Sequence, residues 1–92
     1  MILTLGVDIK ADRYYIQYYH RCEVNFIKVL NTTHPDYKGG VEGIMLKSNN
    51  PNYPLDHPEY YSEGNDDIPV DWYELSDSEI ESLLMEIIWY LH

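Results

Sequence analysis

Apolar and polar residues alternate through the first third of the chain, as in β-strands that bury one face. In residues 1–9 the apolar side runs through Leu3, Leu5, Val7 and Ile9. In residues 13–29 the even positions from Tyr14 to Phe26, which include Cys22, are expected to face the core. A run of this length is long for one strand, so we expect a bend, bulge or tight turn near residues 20–23.

A helix is predicted over residues 76–91. Ser76 and Glu79 match the Ser-x-x-Glu capping box, and acidic residues in the first turn suit the helix dipole. The apolar positions repeat at helical spacing and are Ile80, Leu83, Leu84, Ile87, Ile88 and Leu91. A stripe of this kind needs an apolar surface to cover, and one face of a sheet supplies it.

The middle of the chain is less regular. Residues 41–47 suggest a further strand with a bulge at Gly43, residues 48–69 form a long loop rich in Pro, Tyr and acids, and residues 70–75 form a possible edge strand. The chain is therefore expected to be a single domain over residues 1–92, with a β-rich part in residues 1–47. The predicted fold class is α+β, an antiparallel sheet of 3–5 strands covered on one face by a single C-terminal helix.

The distribution of charged residues says more about function than the overall composition does. The 92 residues contain 6 Lys and Arg against 16 Asp and Glu, which gives a net charge of −10. Residues 48–92 hold eleven of these acids and no Lys or Arg, so the excess lies in one half of the chain. Such a surface disfavours direct contact with nucleic acid or an anionic membrane. With no signal-like or membrane-spanning segment and one cysteine, a cytoplasmic protein is expected.

No motif for catalysis or cofactor binding is present, and we expect neither an enzyme nor a cofactor. His34, His57, Asp56 and Glu59 could supply metal ligands, but their spacing fits no standard site, and the acids of residues 63–71 do not follow the calcium-loop order. Surface acids in a loop are the simpler interpretation, so no metal is expected.

One strand face suggests an alternative function, the binding of single-stranded nucleic acid. Its members alternate aromatic and cationic side chains, as in sheets that bind single-stranded nucleic acid, and are Arg13, Tyr15, Gln17, Tyr19 and Arg21. Cross-strand tyrosine pairing explains the same pattern, and the net charge opposes nucleic acid.

Acids interleaved with aromatic residues in the C-terminal half favour a protein interface, since aromatic residues anchor and acids steer a basic partner. The predicted partner-binding residues are Glu59, Tyr60, Tyr61, Glu63, Asp66, Asp67, Asp71, Trp72 and Glu74. In this hypothesis the acids form a row of carboxylates that replaces phosphates, and Tyr60, Tyr61 and Trp72 anchor it.

In size, charge block and tyrosine content the chain resembles small acidic inhibitors from phages and mobile elements, of the anti-CRISPR and DNA-mimic type. The resemblance implies that it occupies the nucleic-acid-binding cleft of a host defence protein, in the host cytoplasm if it is phage-encoded. Two alternatives stay open: an immunity protein that neutralises a nuclease toxin, and an acidic interaction module that inhibits nothing.

Overall fold

A computed structural model describes residues 1–5, 8–19, 22–32, 40–53, 55–62 and 70–83. The described chain is built mostly from β-strands. They are β1 (Ile2–Thr4), β2 (Tyr14–Tyr19), β3 (Glu23–Asn31), β4 (Gly40–Ser48), β5 (Pro58–Ser62) and β6 (Val70–Glu74). One helix, α1, is described over residues 77–83.

All six strands form one antiparallel sheet in the order β1-β6-β2-β3-β4-β5. The prediction of a 3–5-stranded sheet covered by a C-terminal helix is therefore wrong. One further strand, β5, lies within residues 48–69, where a loop was predicted. The helix is described only as far as Leu83. The part of the predicted apolar stripe from Leu84 to Leu91 lies outside the described residues.

The two ends of the chain are joined in the sheet. β1 pairs with β6, the last described strand along the chain, and not with β2, which follows it in the sequence. β6 is consequently an inner strand between β1 and β2, whereas residues 70–75 had been predicted as an edge. β1 is also shorter than predicted and is exposed rather than half-buried.

The predicted turn near residues 20–23 is confirmed, since β2 ends at Tyr19 and β3 begins at Glu23. The side predicted to face the core is wrong, however. Tyr15 and Gln17 are fully buried, and Cys22 is exposed. Two members of the face proposed for single-stranded nucleic acid, Tyr15 and Gln17, are therefore core side chains, whereas Arg13 and Tyr19 are partly buried. Arg21 lies outside the described residues.

The core lies on one face of the sheet, here called the core face. Its buried cluster consists of Ile9, Tyr15, Ile27, Val29, Val41, Met45, Tyr61 and Trp72, with Tyr53 and Val70 packed against it. On the opposite, second face, Phe26 is buried and pairs across the strands with Ile16. Interruptions of the β3–β4 register lie between Phe26 and Ile27 and between Val29 and Asn31. The second lies opposite Gly43, close to the predicted bulge.

The start of α1 follows the predicted capping box. The amide of Glu79 donates to Ser76 Oγ at 3.3 Å, and the amide of Ser76 donates to Glu79 Oε1 at 3.1 Å. These bonds satisfy backbone donors that have no partner within the helix itself. No helix in the described part of the chain is both long enough and apolar enough to cross a membrane.

Candidate functional site

The predicted partner-binding residues are divided between separate parts of the sheet. Glu59, Tyr60 and Tyr61 lie on the edge strand β5, and Asp71, Trp72 and Glu74 lie on β6. Glu63, Asp66 and Asp67 are outside the described residues. From β5 to β6 the sheet order crosses four strand spacings, about 19 Å at the usual separation. The described acids therefore form two groups rather than one row.

Two of the three predicted aromatic anchors are core residues. Trp72 is 1% exposed and Tyr61 is 4% exposed. The Trp72 ring packs edge-on against Tyr15, with ring centroids 5.8 Å apart. Of the three predicted anchors only Tyr60 is exposed, at 45%. The two rings were misassigned because residues 58–62 had been predicted as loop and residues 70–75 as an edge strand, whereas β6 is an inner strand.

The larger of the two acidic groups is carried by β6 and α1, and we call it the acidic flank. Its members are Asp71, Glu74, Asp77, Glu79 and Glu81. Among the described cationic groups, the ones that pair with it are Arg13 and the N-terminal ammonium. Asp71 and Glu81 are exposed and take part in none of these described ion pairs.

Arg13 fastens the start of α1 to β2. Its guanidinium donates to Asp77 Oδ1 at 3.1 Å and to the Leu75 carbonyl at 2.9 Å. The hydrogen bond with Asp77 is the main cause that raises the Arg13 pKa. Beside it, the buried Tyr15 hydroxyl donates to Glu74 Oε1 at 2.9 Å and accepts from the Lys10 amide at 2.9 Å. Burial raises the Tyr15 pKa to about 12, so this ring stays neutral under ordinary conditions.

The N-terminal ammonium is fixed to the same flank. It donates to both carboxylate oxygens of Glu79, at 2.8 and 2.9 Å. This hydrogen bond, followed by those with Ser76, lowers the Glu79 pKa to about 2. Glu79 consequently joins β1 to the helix as well as capping the helix.

A polar network that the sequence analysis did not identify lies at the opposite end of β2 and β3. The buried Asn25 amide donates to Gln17 Oε1 and to Glu23 Oε2, each at 2.8 Å, and Ser48 Oγ donates to Asn25 Oδ1 at 2.5 Å. Asn50 extends it by donating to Glu23 Oε1 at 2.7 Å. The signal in the sequence was two amide side chains on strand positions, followed at the end of β4 by Ser-Asn-Asn.

Within this network Tyr53 is hydrogen-bonded to Glu23 and packs on Tyr61, with ring centroids 6.1 Å apart. Burial, reinforced by the Glu23 charge, raises the Tyr53 pKa to about 12. The described side chains of this polar network are hydrogen-bonded to one another, which indicates that the network holds the strand ends together.

An apolar groove runs along the second face beside α1. Two adjoining cavities of about 260 and 520 Å³ share Ile16, Val24 and Leu83 as lining residues. Ser78 and Glu79 lie at its helix side and Lys47 at its far side. The described lining is apolar with a polar rim and holds no constellation for covalent chemistry.

Among the described residues, no three His, Cys, Asp or Glu side chains are grouped so as to hold a metal ion. Of the metal ligands considered from the sequence, Asp56, His57 and Glu59 are exposed, while His34 is outside the described residues. Comparison with protein-family models, curated proteins and solved structures finds no match to the chain.

Proposed function

We propose that this protein binds a basic protein that itself binds nucleic acid, and inhibits it by covering the nucleic-acid-binding surface. The observation that carries the proposal is the charge distribution: residues 48–92 contain eleven acids and no Lys or Arg. Carboxylates at a surface pair with Lys and Arg by charge-assisted hydrogen bonds, as phosphates do.

The acidic flank is the part of the described surface that suits this role best. Asp71 and Asp77 are exposed on β6 and α1, and Glu81 is exposed one turn after Asp77. Arg13 and the N-terminal ammonium offset only part of this charge, and they are held at fixed positions by Asp77 and Glu79. An excess of one sign on a small surface raises the association rate with an oppositely charged partner.

Tyr61 and Trp72 are left out of the proposed surface because they are buried, and Tyr60 lies with Glu59 on the far edge of the sheet. The acids of residues 63–69 stay within the proposal as a prediction from the sequence. The setting proposed for this activity is the cytoplasm of a host cell, where the target would be a defence complex or a nuclease.

The first experiment is affinity capture from a host lysate followed by surface plasmon resonance with the purified partner. We expect the association rate to fall steeply between 50 and 300 mM NaCl, because exposed charges are screened beyond roughly 8–10 Å near physiological ionic strength. Binding that is insensitive to salt would contradict the electrostatic basis of the proposal.

A pair of matched variants locates the surface. Asp71→Asn with Glu81→Gln removes two exposed charges from the acidic flank, and Asp56→Asn with Glu59→Gln removes two exposed charges elsewhere. The first pair should slow association several-fold with little change in dissociation, and the second should leave the rate close to that of the wild type. Slower association in the Asp56→Asn, Glu59→Gln variant, with no change in the Asp71→Asn, Glu81→Gln variant, would place the interface on the β5 side of the sheet.

A further inference from the structure

The two edges of the sheet differ in how they are protected. β5 begins at Pro58 and carries the exposed, charged Glu59, and both features discourage another strand from pairing with an edge. β1, the opposite edge, has neither: residues 1–5 contain no proline and no charged side chain. Among the described strands β1 pairs with β6 alone, so it is an end strand of the described sheet.

The side chains of this edge are the main exposed apolar group of the described chain. Met1 is 58% exposed, Ile2 70%, Leu3 59% and Leu5 69%, and together we call them the β1 strip. Single exposed apolar residues are common, but an unprotected edge strand that carries several of them is a pairing site.

The strip lies on a strand that is held in place. The ammonium of Met1 is fixed by Glu79, and the register of β1 on β6 sets Leu3 opposite Tyr73. Tyr73 pairs with Ile16, so Leu3 belongs to the second face, on the side that carries the apolar groove. An added strand would therefore extend an apolar surface that already exists.

We infer that the β1 strip pairs with the β1 strip of a second copy of this chain, antiparallel and about a two-fold axis. Such an axis places the same neutral strip on both sides, so apolar side chains meet apolar side chains. Two molecules that each carry a charge of −10 repel one another, and a contact segment without charged side chains adds no further like-charge pair at the contact itself. A basic partner would instead be drawn to the acidic flank.

The expected dimer is weak. If each exposed side chain of the strip contributes about 100 Å² in each copy, the pair buries on the order of 800 Å² of side-chain surface, below the roughly 1,200 Å² of a stable specific interface. Association should consequently become visible at high protein concentration. It should also strengthen with added salt, because salt screens the repulsion between the two acidic molecules.

Sedimentation velocity of the full chain from 10 µM to 1 mM, at 50 and 500 mM NaCl, tests this inference. The sedimentation coefficient should rise with concentration towards that of a dimer, and the dimer fraction should be several-fold greater at 500 mM NaCl. A monomer at every concentration and salt would overturn the inference, and so would growth beyond a dimer, which indicates pairing between unlike edges.

Two matched variants assign the interface. Leu3→Lys places a charge in the strip, and Leu55→Lys makes the same change at an exposed leucine outside the strands. Leu3→Lys should abolish the dimer, whereas Leu55→Lys should retain it. Equal loss in both variants would show that the strip is not the contact.

Leu3→Lys could detach β1 from β6, because Leu3 is paired with Tyr73. Leu5→Lys therefore repeats the test at a residue of the β1 strip that is not paired with β6. Circular dichroism checks that each variant keeps its sheet. Because dimer formation rises with salt and partner binding should fall with salt, the failure of this inference is distinguishable from the failure of the proposed function.

Discussion

Gly43 shows how closely the inner strands of this sheet approach. A Cβ at this position would lie 2.6 Å from Ile27 Cγ2 and 3.0 Å from the Lys28 carbonyl oxygen. The second of these atoms belongs to the backbone and cannot turn away. Glycine is therefore required here by space, on a strand position where it would otherwise weaken the sheet.

Gly43→Ala should destabilise the protein by about 1–3 kcal/mol, the range expected when an atom is forced into a well-packed interior. Urea unfolding followed by tryptophan fluorescence measures this change. An alanine variant as stable as the wild type would show that β3 and β4 can separate to accept a methyl group.

Asn25 is the central residue of the buried polar network. Asn25→Ala removes one donor to the buried Gln17 Oε1 and the acceptor of the Ser48 hydroxyl. The expected cost is roughly 1–3 kcal/mol, because a polar group that loses a hydrogen bond inside a protein does not regain the hydration it gave up on folding.

Asn52→Ala is the matched control, since Asn52 is exposed and only its backbone amide takes part in a described hydrogen bond. It should change the free energy of unfolding by less than about 0.5 kcal/mol. If thermal melts of the two variants coincide, the network does not stabilise the fold.

At the scale of elements, local signals were predictable and pairing was not. The capping box of Ser76 and Glu79 and the turn between β2 and β3 follow from nearby residues. The inward side of β2 could not be predicted from nearby residues, because Tyr15 becomes buried only through its cross-strand neighbours, Ile27 on β3 and Glu74 on β6. The β1–β6 pair joins residues about 70 positions apart in the sequence, a distance over which periodicity carries no information.

The contact between Glu79 and the N-terminal ammonium links two of these elements and depends on pH. In the folded state the hydrogen bonds with the N-terminal ammonium and Ser76 lower the Glu79 pKa to about 2 from its ordinary value of 4.5. The stabilisation is therefore fully present above pH 4.5 and is lost as the pH falls from there towards 2.

In Glu79→Gln the ion pair is absent at every pH, although glutamine keeps the capping pattern. Melting temperatures measured from pH 7 to pH 2 should therefore decline more steeply in the wild type than in the variant between pH 4.5 and 2. Parallel curves would mean that this ion pair does not contribute to stability.

At the scale of the whole molecule, the excess of acids was visible in the sequence, but its arrangement was not. Glu59 and Asp71 were predicted in one row and lie on strands separated by three others, because β6 returns to pair with β2. Trp72 and Tyr61 were predicted as anchors since aromatic residues near acids are typical of interfaces, yet both fill the core. The described part of the proposed binding surface is consequently the acidic flank on β6 and α1.

We propose that the acidic flank takes the place of nucleic acid on a basic partner. Competition measures it most directly: the captured partner is immobilised, and binding of this protein is recorded by surface plasmon resonance with and without the partner's own DNA or RNA at a fixed salt concentration. We expect mutually exclusive binding, with the apparent affinity falling in proportion to added nucleic acid. Simultaneous binding of both at undiminished affinity would contradict it.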